Sequence, residues 1–343
     1  MPDSSSTARN PGIDLLRGLS IVLVVMHHAA LRIPLEKGVL GEWLPERFLY
    51  GIQYDGFEAV FLFFVISGFL ITSNSLGRWG TLAAIDAKAF YRRRAARIVP
   101  CLLALVAVLS VLALLGMPHY TMEQPKQTLA GAVLSALGFW VNVYQARTGW
   151  LPAGWGVLWS LSIEEVFYLA FPVACLLLAR TRLLVPALAL LALSIPLVRA
   201  GIHHDPIWAE KNYLQGMAAI ATGVLAALLV ARWPTVPRST ARWRQGKRAL
   251  PAFAWLRSFG RLSYEVYLSH MFVVWLVVDR FDAAGADLHL GFLWFAPALA
   301  GSWALGWFVA RSVSEPARRG LLRARASPAN APAGAGVRPE VAL

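Results

Sequence analysis

Charge is scarce in this chain: Asp, Glu, Lys and Arg together supply 15% of its residues, while the apolar set supplies 57%. With a mean hydropathy of +0.55, that shortage excludes a water-soluble globular domain of this length. Cysteine is nearly missing as well. Cys101 and Cys175 both fall in apolar runs without metal-ligand spacing, which argues against a disulfide framework and reads as two small core residues. Neither His27-His28 nor His203-His204-Asp205 offers an i, i+4 ligand pair, because adjacent side chains diverge on a helix, so no metal is expected. An internal repeat at fixed period is also wanting, and so is any polar stretch long enough to fold as a separate soluble module.

What the chain does have is apolar length. Stretches able to cross a hydrocarbon core lie near 13–31, 56–76, 98–117, 128–145, 157–179, 183–199, 213–231, 262–279 and 290–312. The expected fold is therefore all-α, a polytopic integral membrane bundle of about nine to ten transmembrane helices. Tryptophans near segment ends, among them Trp43, Trp79, Trp150, Trp155 and Trp233, suit anchoring at both interfaces. Residues 1–11 form a short polar tail, 12–319 the membrane domain, and 320–343, rich in Ala, Pro and Gly, a disordered extension.

The net charge of +13 invites a nucleic-acid reading, which the placement of the charges opposes. Arg and Lys gather in three connections, Arg78 to Arg97, Arg232 to Arg261 and the tail after Arg311, and this is a topology signal. It puts these connections and the N-terminus in the cytoplasm. Nine spans would carry the later basic segments to the other face, so an even number is required. A tenth, weak or re-entrant segment is expected between 117 and 213, with the Trp- and Gly-rich stretch 138–160 the candidate.

Against that background, ionisable residues inside spans stand out. Arg17 and His28 are eleven residues apart in the first apolar run, about 16 Å along a helix and roughly 20° around it, so both look out from one face, with Asp14 on the same stripe. Buried charge in a span is expensive and marks a bundle interior or a functional site. The plainer alternative is a snorkelling arginine and one histidine bonded to a neighbouring helix. His27 points elsewhere, about 100° around the helix.

Four further groups follow. Arg93, Arg94 and Arg97 sit in the run RRRAARIVP at 92–100, where Arg94 and Arg97 share a side at i, i+3 and could each fork onto phosphate oxygens, or only touch anionic lipid. In WSLSIEEVFYL at 159–169, Ser162 and Glu165 read as a capping box, whereas Glu164 shares a face with Tyr168 and is the better site partner. In GRLSYEVYLSH at 260–270, Ser263, Tyr267 and His270 share one face, either as a site or as a helix–helix seam. FFVISGFLIT at 63–72 contributes Ser67 and Gly68, with close packing the default reading.

Taken in chain order, these pieces resemble the acyltransferase-3 family, bacterial integral-membrane O-acyltransferases that acylate surface carbohydrates. Arg17 with His28 matches its Arg-x10-His of the first span, the four runs quoted above match in sequence, and Ser314-Glu315-Pro316 resembles its closing Glu-Pro. The likeness extends from about residue 12 to 319. One departure is the basic stretch between 231 and 260, where members of the family commonly carry another apolar span.

The resemblance implies transfer of an acyl group, usually acetyl, from acyl-CoA to a carbohydrate hydroxyl at the bacterial inner membrane, with the N-terminus cytoplasmic and no metal or nucleic acid involved. A sugar hydroxyl needs a base, and a neutral imidazole with a reference pKa of ~6.5 can serve at cellular pH, which nominates His28, with a covalent acyl-imidazole as a variant. Arg17 would orient its surroundings or bind donor phosphates, Asp14 would hold Arg17, and Arg93, Arg94 and Arg97 would grip coenzyme A. Glu164 would orient the imidazole or a sugar hydroxyl. Ser67, Glu165, Tyr267 and His270 are further candidates. The partners are then acyl-CoA, a carbohydrate acceptor and membrane lipid. Rival readings are a transporter of a polar solute, a non-catalytic scaffold, and an acyltransferase acting on a small glycosylated metabolite.

Overall fold

The computed structural model describes residues 10–179, 182–197, 205–233 and 253–323. The basic stretch 234–252, His203 and His204, the tail before residue 10 and that beyond 323 lie outside the described residues. Among the described residues regular structure is helical throughout.

Helix α1 (Pro11–Ala30) starts where its residues dictate: the Asn10 side chain accepts from the Gly12 amide at 2.9 Å and Pro11 occupies the first turn. A short helix α2 (Glu46–Tyr54) leads into α3 (Gly56–Trp79), and α4 (Ala87–Leu114) opens on Asp86, which accepts from the Ala89 amide at 2.9 Å. Next come α5 (Leu129–Leu137), α6 (Val141–Thr148), α7 (Leu158–Leu178) and α8 (Leu184–Leu193). The short α9 (Pro206–Lys211) precedes α10 (Tyr213–Arg232). Helix α11 (Ala254–Arg261) meets α12 (Ser263–Ala283) at a bend of 91°, and α13 (Phe295–Val309) and α14 (Glu315–Arg323) close the described chain.

Large apolar side chains such as Leu114, Leu177, Leu190 and Leu193 project outward, as a lipid-facing surface requires. The protein is a membrane helix bundle. Among the described residues, six helices are long and apolar enough to cross a bilayer, or seven if α11 and α12 count as one bent span, so the expected nine to ten are not confirmed. Two of the expected apolar runs do not form one long helix. The 128–145 run splits into α5 and α6 at Gly138 and Phe139, the latter at φ 60°, and the 183–199 run holds only a shorter apolar helix, Leu184–Leu197.

The capping-box reading of Ser162 and Glu165 is also wrong. Helix α7 begins at Leu158, one turn earlier, so Ser162 is interior and its hydroxyl donates back to the Leu158 carbonyl at 3.2 Å while accepting from the Val141 amide at 3.2 Å. Glu165 is consequently a buried residue with one carboxylate oxygen unbonded. At the other terminus, α14 runs from Glu315 to Arg323.

Two packing contacts position the site. Helices α3 and α10 cross closely because Gly68 lies against the Ile220 carbonyl and Gly223 against the Val65 carbonyl, leaving no room for a Cβ at either. Helix α1 is clasped by α11, where Gly18 meets the Leu256 carbonyl and Gly260 the Asp14 carbonyl. The start of α1, the start of α12, the Arg93–Arg97 turn of α4 and the beginning of α14 gather at one end of the bundle, since Arg17 bonds Ser263 and Cys101 contacts Ser314 at 2.8 Å. This is termed the arginine end below.

Candidate active site

A cavity of about 520 Å³ opens at the arginine end. Arg17, Arg78, Arg93, Arg94 and Arg97 all line it, so five guanidinium groups from three helices converge on one space. Trp79 and Phe90 add ring surface beside them, and Val60, Phe63 and Phe64 make the inner wall apolar. Arg94 stacks over the Tyr168 ring at 4.0 Å from its centroid. The Arg93 Nε is buried without a protein partner.

Glu164, Ser67 and Tyr168 form a single hydrogen-bonded trio on the cavity wall: the Ser67 and Tyr168 hydroxyls both reach the Glu164 Oε1 and each other. The i, i+4 spacing of Glu164 and Tyr168 on α7 brings them onto one face as their sequence spacing requires. Ser67, for which packing is the default reading, faces α7 in the site, while Gly68 beside it packs against α10. Glu164 is thus committed to Ser67 and Tyr168 near Arg94, and its neighbours do not include the His28 ring.

Helix α12 presents one face to everything that follows. Ser263 accepts from Arg17 twice, from Nε at 3.0 Å and Nη2 at 2.7 Å. One turn on, the Tyr267 hydroxyl meets Ser160 Oγ at 2.7 Å and donates to the Val157 carbonyl at 3.0 Å. A further turn on, the His270 ring lies 5.1 Å from that of His28, centroid to centroid. Arg17 and His28 therefore do share a face of α1, and that face is applied to α12.

The cavity reaches Arg17, Ser160 and Tyr267, whereas His28 and His270 do not line it. His28 is half-buried and flanked by His27 at 5.2 Å, whose own Nδ1 bonds the Gln53 carbonyl at 3.0 Å. His27 is accordingly occupied with α2. Asp14 is buried at the arginine end against Gly260.

Around the histidines, cations collect. Arg32, just past α1, lies 4.6 Å over the Trp275 ring, whose other contact is the His119 ring stacked at 3.8 Å. Burial draws the Arg32 guanidinium below its ordinary 12.5. Lys211 is 5% exposed, donates to Gln145 Oε1 at 2.9 Å and faces the Trp150 ring at 3.9 Å. Sequence reasoning missed Lys211, Ser160, Asn74 and the cavity role of Arg78. Lys211 left a faint signal, a lone lysine directly ahead of an apolar span. Ser160 left none.

A membrane bundle with an arginine-lined cavity, a part-buried trio of Glu164, Ser67 and Tyr168 and a histidine pair beyond it defines a class of membrane enzyme, and the chain's relatives specify it. The family described as "Acyltransferase domain" matches residues 10–244, more than half of the chain, and the chain belongs to that family. It is 28% identical over 231 residues to "O-acetyltransferase OatA" of Staphylococcus aureus strain NCTC 8325 / PS 47 and to the same protein of strain COL, covering 65% of this chain and 35% of each relative. A further Staphylococcus aureus strain COL protein, whose O-acetyltransferase name is provisional, is 31% identical over 176 residues, covering 50% of this chain and 25% of its own length. The match thus spans about a third of the length of the OatA relatives. No solved structure matches the chain.

Proposed function

We propose that the chain is a membrane O-acetyltransferase that moves an acetyl group from acetyl-CoA to a hydroxyl of a carbohydrate, in the bacterial inner membrane with the arginine end and N-terminus facing the cytoplasm. The observation that carries this reading is the convergence of Arg17, Arg78, Arg93, Arg94 and Arg97 on one cavity whose inner wall is apolar. Planar guanidinium forks suit the phosphates of coenzyme A, aromatic rings such as Trp79 suit its adenine, and the apolar inner wall suits the thioester arm.

In the reaction, His28 takes the proton of the acceptor hydroxyl and the oxygen attacks the thioester carbonyl. The new C–O bond forms, the C–S bond breaks, and the coenzyme A sulfur leaves as thiolate and regains a proton. Because Tyr267 and Ser160 stand between the cavity and the histidines, their hydrogen bond has to open for the thioester to meet the base. Glu164, held by Ser67 and Tyr168, shapes the donor side of the cavity. The acceptor is a carbohydrate chain at the cell surface or in export.

The test is direct. The purified full-length chain with [14C]acetyl-CoA and an extract of cell-envelope glycans should yield labelled ester, and cells lacking the gene should show glycans lighter by acetyl groups in mass spectrometry. Absence of both, with no thermal stabilisation by millimolar acetyl-CoA, would return the transporter reading to first place.

A further inference from the structure

His270 is buried without any exposure, yet one of its ring nitrogens has no hydrogen-bond partner. The other nitrogen is committed. Nδ1 lies 2.7 Å from the Tyr267 carbonyl and 3.2 Å from the Val266 carbonyl, and because a carbonyl oxygen can only accept, Nδ1 carries the hydrogen. Nε2 is therefore a bare lone pair, and it is the Nε2 that goes unpartnered. An acceptor left unsatisfied in a closed interior is costly, and native structures rarely tolerate one without a use.

Two rings neighbour His270. Tyr267 is 5.9 Å away, but its hydroxyl is already spent on Ser160 and the Val157 carbonyl. His28 is nearer, at 5.1 Å with an interplanar angle of 39°, a separation that falls to hydrogen-bond range when ring nitrogens point along the line between the centroids. His27, 5.2 Å from the same ring, also commits its Nδ1 to a carbonyl, that of Gln53, but its side chain is only part-buried and its Nε2 is not a stranded acceptor as that of His270 is.

We propose that His270 is a positioning residue for His28: its Nε2 accepts the N–H of the His28 imidazole, fixes the tautomer and tilt of that ring, and leaves the other His28 nitrogen bare for the acceptor hydroxyl. The inference rests on the acyl-transfer reading and deepens it. When His28 takes up the hydroxyl proton, the resulting imidazolium keeps its hydrogen bond to His270, so the charge that develops is stabilised without a carboxylate. A neutral partner suits this place, because a buried acid would hold the proton against its return to the leaving thiolate.

The test compares His270→Leu, which removes the lone pair, with His270→Gln, whose amide oxygen can restore an acceptor. Initial rates are measured on the full-length chain in detergent with [14C]acetyl-CoA and cell-envelope glycan extract, and folding is checked by thermal stabilisation with acetyl-CoA. Expected is a fall in kcat on the order of 100-fold for His270→Leu at unchanged KM for acetyl-CoA, with roughly a tenth or more of the wild-type rate returned by His270→Gln. A His270→Leu rate close to wild type, or a folded His270→Gln no better than His270→Leu, overturns the proposal. If His270→Leu does not fold, the decision passes to His270→Gln, which supports the proposal when active and overturns it when folded and inactive. The parent reading fails separately, when the wild type makes no labelled ester or His28→Ala makes as much as wild type.

Discussion

Ser160 Oγ and the Tyr267 hydroxyl lie 2.7 Å apart, and this hydrogen bond between α7 and α12 closes the inner end of the arginine-lined cavity. On one side are the guanidinium groups, on the other the rings of His28 and His270. The same hydroxyl is tied to the Val157 carbonyl, so one side chain holds the partition from both directions. Tyr267→Phe keeps the ring and deletes both bonds, each worth about 1 kcal/mol. The expected outcome is a looser partition, in which thiol release from acetyl-CoA outruns formation of acetylated product. Free thiol and labelled ester measured in the same reaction check this, and a retained one-to-one ratio at the wild-type rate would refute it.

His28→Ala is expected to abolish transfer while leaving donor binding intact, because His28 does not line the cavity. Activity should fall by about 100-fold or more, with acetyl-CoA still raising the melting temperature of the variant as it does in wild type. Loss of that stabilisation would mean the histidine supports the donor site after all.

Arg17 tests geometry against charge. Its Nε and Nη2 both donate to the Ser263 hydroxyl, a fork that an ammonium cannot reproduce. Arg17→Lys should accordingly lose about tenfold in kcat/KM, and Arg17→Ala more. Equal activity of Arg17→Lys and wild type in the ester assay would reduce Arg17 to a point charge.

Arg94 and Arg97 line the cavity, and Arg94 also covers the Tyr168 ring. Each charge-assisted bond to phosphate is worth about 1.5–3 kcal/mol, so the double Arg94→Ala, Arg97→Ala variant should raise the acetyl-CoA KM by at least about tenfold and leave kcat less affected. Wild-type KM should climb with salt and that of the variant less steeply. An unmoved KM would be decisive against the phosphate role.

Lys211 is expected to matter for stability. Its ammonium satisfies Gln145 Oε1 at 2.9 Å, and Gln145 has no exposure with which to find water instead. Lys211→Met would strand that oxygen at a cost of about 1–3 kcal/mol and lower the melting temperature by several degrees. A more stable variant would mean that removing the buried charge outweighs the stranded amide.

How much of this could be read along the chain follows from the range of each interaction. The shared face of Ser263, Tyr267 and His270, and that of Arg17 and His28, are consequences of helical geometry acting over a few turns, and both hold in three dimensions. The i, i+4 pairing of Glu164 and Tyr168 was legible for the same reason. The capping box at Ser162 was misread because a capping pattern is local, whereas the true start at Leu158 sits one turn earlier, at the close of the Ala153–Trp155 turn. The expected span count is not confirmed where hydropathy averages over a backbone break such as Phe139 at positive φ.

Composition and helical periodicity alone establish a membrane bundle and set Arg17 with His28, Glu164 with Tyr168, and Ser263 with Tyr267 and His270 on shared faces, since burial in lipid and the 3.6-residue repeat need no knowledge of neighbours. Which faces meet is another matter. That Ser67 joins Glu164 across 97 residues, that Ser160 bars the cavity with Tyr267 across 107, and that a lysine fills the space between Gln145 and Trp150 came from helix packing in space. Such contacts depend on how the helices pack against one another, a sum of many small terms that no single stretch of residues encodes.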